Sequence, residues 1–466
     1  MNRKIKHIHF VGIGGIGMCG LAELLHDQGY TVSGSDLRTG ENFDRLTGLG
    51  IETSLGHDRR NLGRAQVVVV SSAVADDNPE LTEAREQKIP VIRRAEMLAE
   101  IMRRGDGIAV AGSHGKTTTT SLIAHVLHAA GLDPTAIIGG RVLSAGQDST
   151  GARLGRGDLL VAEADESDGS FLSLAPVITV ITNIDHEHMD HYGDFETLQE
   201  SFVEFANRIP FWGTAVVCAE HPGVQSILPR LRKRVTRYGF SPHAEWVASD
   251  LRTDAEGTHF RVRHGEQMLG EVVMPLPGEH NVLNALACLA VADEVEVDFT
   301  TAAEALKSFG GVQRRFERIG QAREIEVVDD YAHHPTEIRA TLSAARSLHD
   351  GRTVAVFQPH RYTRTRDCLN DFATAFNDCD VLLVSEIYAA GESAIHGISG
   401  QTLRDAIAAH GHRDVRFVAS MDEIVAMLMK EAEPGDWILT LGAGDITQLG
   451  RRLLRALEGQ GSGETV

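Results

Sequence analysis

The chain has 466 residues, 42% of them apolar, with 45 basic against 65 acidic side chains and a formal net charge of −20. At ~150 residues per domain this length predicts about three domains with real cores, and an acidic balance with no Lys/Arg tract argues against nucleic acid as a partner. The five cysteines show no C-x-x-C spacing, and glycines break the basic amino terminus from Gly12 onward, so we expect reduced thiols, a cytoplasmic location and no membrane insertion.

In chain order, an apolar strand (8–13) runs into Gly12-x-Gly14-Gly15-x-Gly17, and Leu21, Leu24 and Leu25 then mark a helix. This is a Rossmann-like opening. Asp36 follows the second strand (30–33), where an acidic side chain would meet the ribose of a dinucleotide, so a nucleotide-dependent dehydrogenase is the first reading to weigh. The glycine pattern alone reports only a diphosphate on a helix amino terminus. Further alternation, with strand 67–70, the turn at Ser71 and Ser72, and strand 90–92, gives one α/β domain over 1–102.

The polar joint 103–107 precedes a second domain, 103–312. Its strand 108–111 leads into Gly112-Ser113-His114-Gly115-Lys116-Thr117-Thr118 and a helix. Backbone N–H groups at such a helix start, with a lysine and a hydroxyl, form a cradle for a triphosphate and its magnesium. Val110 stands where the usual P-loop carries its first glycine, so this loop is a shorter form. Downstream, strand 159–162 ends on Glu163, which begins the acidic stretch Glu163 to Asp168; a carboxylate leaving a buried strand is where a nucleotide-hydrolysing enzyme holds magnesium. Among the acids, the strand-end position favours Glu163 over Asp165, Glu166 and Asp168.

Strand 177–181 ends in His186-Glu187-His188-Met189-Asp190-His191, which alone resembles the zinc motif of metallo-β-lactamase-like hydrolases but explains neither glycine loop. Residues 245–274 alternate between glycine breaks and predict a small satellite β-sheet. Asn281 and Asn284 stand one helical turn apart on one face, where two amides suit a purine edge. After the joint Gly310-Gly311, a third α/β domain, 313–466, carries Arg314-Arg315, Asp329-Asp330-Tyr331, and His360-Arg361-Tyr362-Thr363-Arg364.

Four stretches, GSHGKTTTT, EADESDGSF, PGEHNVLNALA and DDYAHHPTEIRATL, occur in order and together resemble the Mur ligases of peptidoglycan synthesis. GIGGIGM, SFVEFANRIPFWG, GVQRRFERIG and FQPHRYTRTRD look like the member that joins L-alanine to UDP-N-acetylmuramate; HRYTRT separates it from the sibling that reattaches a recycled tripeptide. The resemblance implies three α/β domains: a Rossmann-like one for the UDP-sugar, a P-loop ATPase-like one, and a Rossmann-like one contacting ATP and the amino acid, with closure before chemistry. It implies ATP and Mg2+ as cofactors, with Lys116 on phosphate and Thr117, Glu163 and His188 on magnesium. Further, it assigns Asn281 and Asn284 to adenine, Arg315 and Asp330 to ATP, and His360, Arg361 and Arg364 to the amino acid, His360 being the candidate base. Gly14, Gly15, Gly17, Asp36 and Ser72 would serve the UDP-sugar. Cys218 to Pro222 departs from the family's usual N-x-D-D-P, which puts any role of that turn in doubt.

Overall fold

The structure is a computed structural model that describes residues 4–71, 73–140, 151–254 and 256–461. Ser72 lies outside the described residues. The chain folds as two compact units, one of Met1–Asp250, Phe260–Val273 and Leu283–Gly310, the other of Leu251–His259, Met274–Val282 and Gly311–Val466. The break at Gly310 coincides with the glycine joint in the sequence.

The first unit begins with a five-stranded sheet of β1 (His7–Val11), β2 (Thr31–Asp36), β3 (Glu52–Leu55), β4 (Val67–Val70) and β5 (Val91–Arg93), in the order β3-β2-β1-β4-β5. Every pairing is parallel. β1 and most of β4 are buried, as their near-continuous apolar runs require of a parallel sheet covered on both faces. Chain order reverses between β1 and β4, and ligands of such folds bind beyond the carboxyl ends of strands at that switch. β2 outruns its apolar pattern because Gly34 and Ser35, small or polar, stay in ladder with Phe10 and Val11, and Asp36 with Leu55 of β3.

The middle sheet contains β6 (Asp106–Ala111), β7 (Thr135–Ile137), β8 (Ala152–Arg153), β9 (Leu159–Glu163), β10 (Ile178–Ile181), β11 (Thr214–Cys218), β12 (Arg234–Gly239), β13 (Trp246–Asp254), β14 (Gly257–His264) and β15 (Gln267–Met274). Their order, β15-β14-β13-β12-β11-β10-β6-β9-β7-β8, puts β6 between β10 and β9. The strands expected as a satellite sheet instead continue this sheet's edge, because Tyr238 and Gly239 of β12 pair with Trp246 and Val247 of β13. A single buried cluster runs from Ile8 through Leu160 to Ile227, with Met97, Leu98, Ile101 and Met102 of helix Arg94–Met102 inside it. The joint 103–107 therefore marks a change of sheet within one packed unit.

The second unit carries β16 (Glu317–Ala322), β17 (Ile325–Asp330), β18 (Thr353–Phe357), β19 (Val381–Val384), β20 (Val415–Phe417) and β21 (Trp437–Leu441), in the order β16-β17-β21-β18-β19-β20. Only β16 is antiparallel to its neighbour. Two apolar clusters cover its faces. The architecture is thus α/β with three mainly parallel sheets. Among the described residues no helix is long and apolar enough to cross a membrane.

Candidate active site

Both glycine loops, the acidic stretch from Glu163 and the segments at His186, Asp330 and His360 lie at or follow the carboxyl ends of parallel strands. After β1, Gly12 takes φ +84°, and the N–H groups of Gly12 and Ile13 donate to the Ser35 carbonyl at 2.8 and 3.0 Å. Asp36 at the end of β2 accepts from Gly14 N–H at 2.9 Å, so its carboxylate braces the loop. Gly15 caps helix Ile16–Asp27, and a Cβ on Gly17 would sit 3.1 Å from Arg94 Cδ. Arg94, which belongs to no motif in the sequence, thus lies against this loop.

After β6 the P-loop turns into helix Lys116–Ala129, with Gly115 in the left-handed region at φ +82°. Four threonines are poor helix formers, yet Thr117 to Thr120 are buried, so tertiary packing holds the first turn. As at any helix start, the first N–H groups of that turn have no intrahelical partner, which makes it able to receive an anion. Lys116 Nζ donates to Gly112 O at 2.6 Å, Ser113 O at 3.3 Å and Glu166 Oε1 at 2.9 Å. Burial disfavours its charge, but Glu166 and Asp165 outweigh that and hold the ammonium above its usual value. Burial raises Glu166 to about 7 against the pull of Lys116. Its second oxygen, Oε2, is buried without a hydrogen-bond partner among the described residues.

His188, in the left-handed region at φ +59°, lies with Nε2 3.9 Å from both Glu166 Oε1 and Glu187 Oε2. One ligand atom from each of these three groups lies within 4.8 Å of the others, which suits a cation. Glu163, at the end of β9, does not belong to that group; its Oε1 accepts from Gly139 N–H at 2.7 Å. The structure thus gathers His188 with Glu166 and Glu187, two acids whose only sequence signal was their charge, where the strand-end argument favoured Glu163. On the other flank of β6, Asn183 and Asp185 contact the P-loop: Asp185 N–H donates to Ser113 Oγ at 2.8 Å.

Helix Glu279–Glu294 carries both asparagines, each buried. Asn284 Oδ1 accepts from Thr119 Oγ1 at 3.1 Å, and a Cβ on Gly115 would lie 2.7 Å from it. This amide reaches the P-loop helix. Asn281 Nδ2 donates to Pro277 O at 2.7 Å.

In the second unit, Asp330 ends β17 and accepts from the N–H groups of Phe316 and Ala332, each at 2.7 Å. Burial lifts its carboxyl to about 6, opposed by Arg315. Arg315 lies 3.8 Å from Glu337 Oε1 with its guanidinium 5.1 Å from the Tyr331 ring centre. Beyond β18, Arg364 Nη1 donates to His360 Nδ1 at 3.3 Å, and the His360 ring stacks on Tyr388. Burial, and then the positive fields of His333, Arg364 and Arg361, pull His360 down to about 3. With Nδ1 accepting from Arg364, the ring is placed to orient that guanidinium. Arg361 holds φ +70°, and its N–H donates to Tyr388 O at 2.9 Å. His188, Arg314, Phe316 and Arg361 are all non-glycine residues at positive φ, and such strain concentrates at functional sites.

Comparison with known proteins finds three consecutive family matches. The family descriptions "Mur ligase family, catalytic domain", "Mur ligase middle domain" and "Mur ligase, glutamate ligase domain" match residues 7–105, 110–292 and 314–444. A UDP-N-acetylmuramate–L-alanine ligase of Myxococcus xanthus is 54% identical over 98% of this chain and 96% of its own. One from Geotalea daltonii is 53% identical over 98% and 99%. The crystal structure of a UDP-N-acetylmuramate–alanine ligase from Thermotoga maritima superposes with a TM-score of 0.83 at 30% identity, covering 98% of this chain and all of that one. A murein peptide ligase from Psychrobacter arcticus gives 0.71 at 27%, covering 99% of each.

Proposed function

The chain belongs to the Mur ligase family, and from that premise we propose that it joins L-alanine to the carboxylate of UDP-N-acetylmuramate, with ATP converted to ADP and phosphate, in cytoplasmic synthesis of peptidoglycan precursors. The observation that carries this reading is identity of 53–54% over 98% of the chain with ligases of that substrate pair. The Cys218–Pro222 departure does not weaken it, since His221 Nδ1 accepts from Gly223 N–H at 3.2 Å and so caps the helix that follows. We assign 1–102 to the UDP-sugar, 103–312 to ATP and 313–466 to the amino acid and ATP. The first glycine loop then carries a sugar diphosphate, which removes the need for a dehydrogenase.

A carboxylate does not acylate an amine in water because its leaving group would be oxide. Transfer of the γ-phosphoryl group to the sugar carboxylate gives an acyl phosphate; the amine of L-alanine attacks its carbonyl carbon, and phosphate leaves. Catalysis of the first step is positioning and charge neutralisation, since two anions must meet. Lys116 supplies a fixed cation once phosphate oxygens replace its carbonyl and Glu166 contacts. Arg361 and Arg364 offer the forked donors that suit the α-carboxylate of alanine, and His360 orients Arg364. Ser72 and Asp36 stay with the UDP-sugar, Asn281 and Asn284 with adenine, and Arg315 and Asp330 with ATP.

Magnesium is the metal we propose, held by Thr117, Glu163 and His188, with Glu166 and Glu187 as additional oxygen donors. The buried, unpartnered Glu166 Oε2 fits a hard cation. When bound, the ion would offset charge on the phosphoryl oxygens. The test is phosphate release measured with each substrate omitted in turn. Release should require ATP, UDP-N-acetylmuramate and L-alanine together; release with a murein tripeptide but not L-alanine would overturn the assignment.

A further inference from the structure

The segment after β10 makes contacts with the P-loop that the reaction scheme does not use. Asn183 Oδ1 accepts from His114 N–H at 2.7 Å, and Asn183 Nδ2 donates to His114 O at 3.0 Å. One carboxamide therefore pairs with both backbone groups of a single loop residue. Thr182 Oγ1 donates to the same carbonyl at 2.6 Å, so both lone pairs of His114 O are engaged. The backbone reinforces this contact, since Ser113 N–H donates to Asn183 O at 3.2 Å. Gly112 stands at φ +132°, and a Cβ there would overlap Thr182 Oγ1. The loop is thus pressed against residues 182–183 along its entry.

The consequence lies in the next peptide. In a planar trans peptide the carbonyl and the following N–H point in opposite directions. With the His114 carbonyl fixed toward Thr182 and Asn183, the N–H of Gly115, the N-cap of helix Lys116–Ala129, points away from them. The His114 N–H itself is committed to Asn183 and is withdrawn from anion binding.

We propose that Asn183 is a positioning residue for the phosphoryl donor: by pairing with both backbone groups of His114, it aims the Gly115 N–H at the ATP phosphates. The proposal rests on the ATP reading of this loop. Without the carboxamide, the His114 carbonyl loses its Asn183 donor and the His114 N–H loses its Asn183 acceptor, so the hold on the peptide linking His114 to Gly115 weakens.

The test uses the full chain with Asn183→Ala and the isosteric Asn183→Asp, which keeps an acceptor but sets a carboxylate oxygen against His114 O. Equilibrium binding of ADP with magnesium and of UDP-N-acetylmuramate is measured on each by calorimetry. We expect at least a 10-fold loss of ADP affinity and a matching rise in KM for ATP, with UDP-N-acetylmuramate affinity and KM for L-alanine within 2-fold of the parent. A general structural role would instead lower both affinities together or reduce active fraction with KM unchanged, and either result overturns the proposal. Unchanged ADP affinity in a variant that still binds the UDP-sugar also overturns it. If Asn183→Ala does not fold, as judged by circular dichroism, Asn183→Asp decides by the same two affinities. Failure of the parent protein to bind ADP would refute the ATP reading itself, which separates the two failures.

Discussion

Lys116 sits among two carbonyls and one buried carboxylate, so removing its ammonium takes away the fixed cation at the phosphate and frees Glu166 from its partner. Lys116→Ala should reduce ADP formation by at least ~10³-fold, an energy of about 4 kcal/mol in the barrier, while UDP-N-acetylmuramate binding stays within a few-fold by calorimetry. His360, neutral and already accepting from Arg364, should not set the pH profile: His360→Gln should raise KM for L-alanine while leaving the acid limb of kcat where it was. Asp330 has its own signature. Burial raises its carboxyl from 3.8 to about 6, so the folded state favours the proton more than the unfolded chain does. Its contribution is present below pH ~4 and lost as pH rises through ~6, a change on the order of 3 kcal/mol. Urea unfolding at pH 5.0 and 7.5 should therefore show parent stability falling relative to Asp330→Asn across that interval.

At the scale of elements, the strand ends are where sequence and structure agree best. The apolar run of β6, the glycine break and the helix after it were legible because each has a local cause: burial on both sheet faces, a left-handed turn, and a 3.6-residue period. Gly112 shows the cost of altering that turn. At φ +132°, with Thr182 and Asn183 closing over it, Gly112→Ala should lower Tm and abolish ADP binding, since such backbone strain costs on the order of 1–3 kcal/mol before any overlap. Other features were not legible. Asn183 reads as a loop amide, and its partner His114 is 69 residues away. Glu166 looks like its acidic neighbours until burial and Lys116 single it out. The alternation of β13 to β15 reported strands but could not report that β12 carries the middle sheet into them. Asp36 reads in the sequence as a ligand contact, whereas its geometry is that of a brace, Oδ2 accepting from Gly14 N–H and Oδ1 from Arg38 N–H.

Across the whole molecule, three mainly parallel sheets each present their charged and glycine-rich loops at strand carboxyl ends, a pattern that three consecutive family matches follow along the chain. The magnesium dependence proposed above belongs to this scale, because the donors proposed for it come from different elements. Glu163→Ala and Glu166→Gln should each raise the magnesium concentration for half-maximal activity by about 10-fold, the size of effect that loss of a ligand or of its hydrogen-bonded support brings; an unchanged requirement in either would remove that residue from the donor set. The most direct test of the central claim follows oxygen rather than rate. With both carboxylate oxygens of UDP-N-acetylmuramate labelled with 18O, an acyl phosphate delivers one labelled oxygen to the phosphate released and leaves the other in the new amide. Mass spectrometry should find one 18O per phosphate for each amide formed, and unlabelled phosphate accompanying amide formation would contradict an acyl phosphate intermediate.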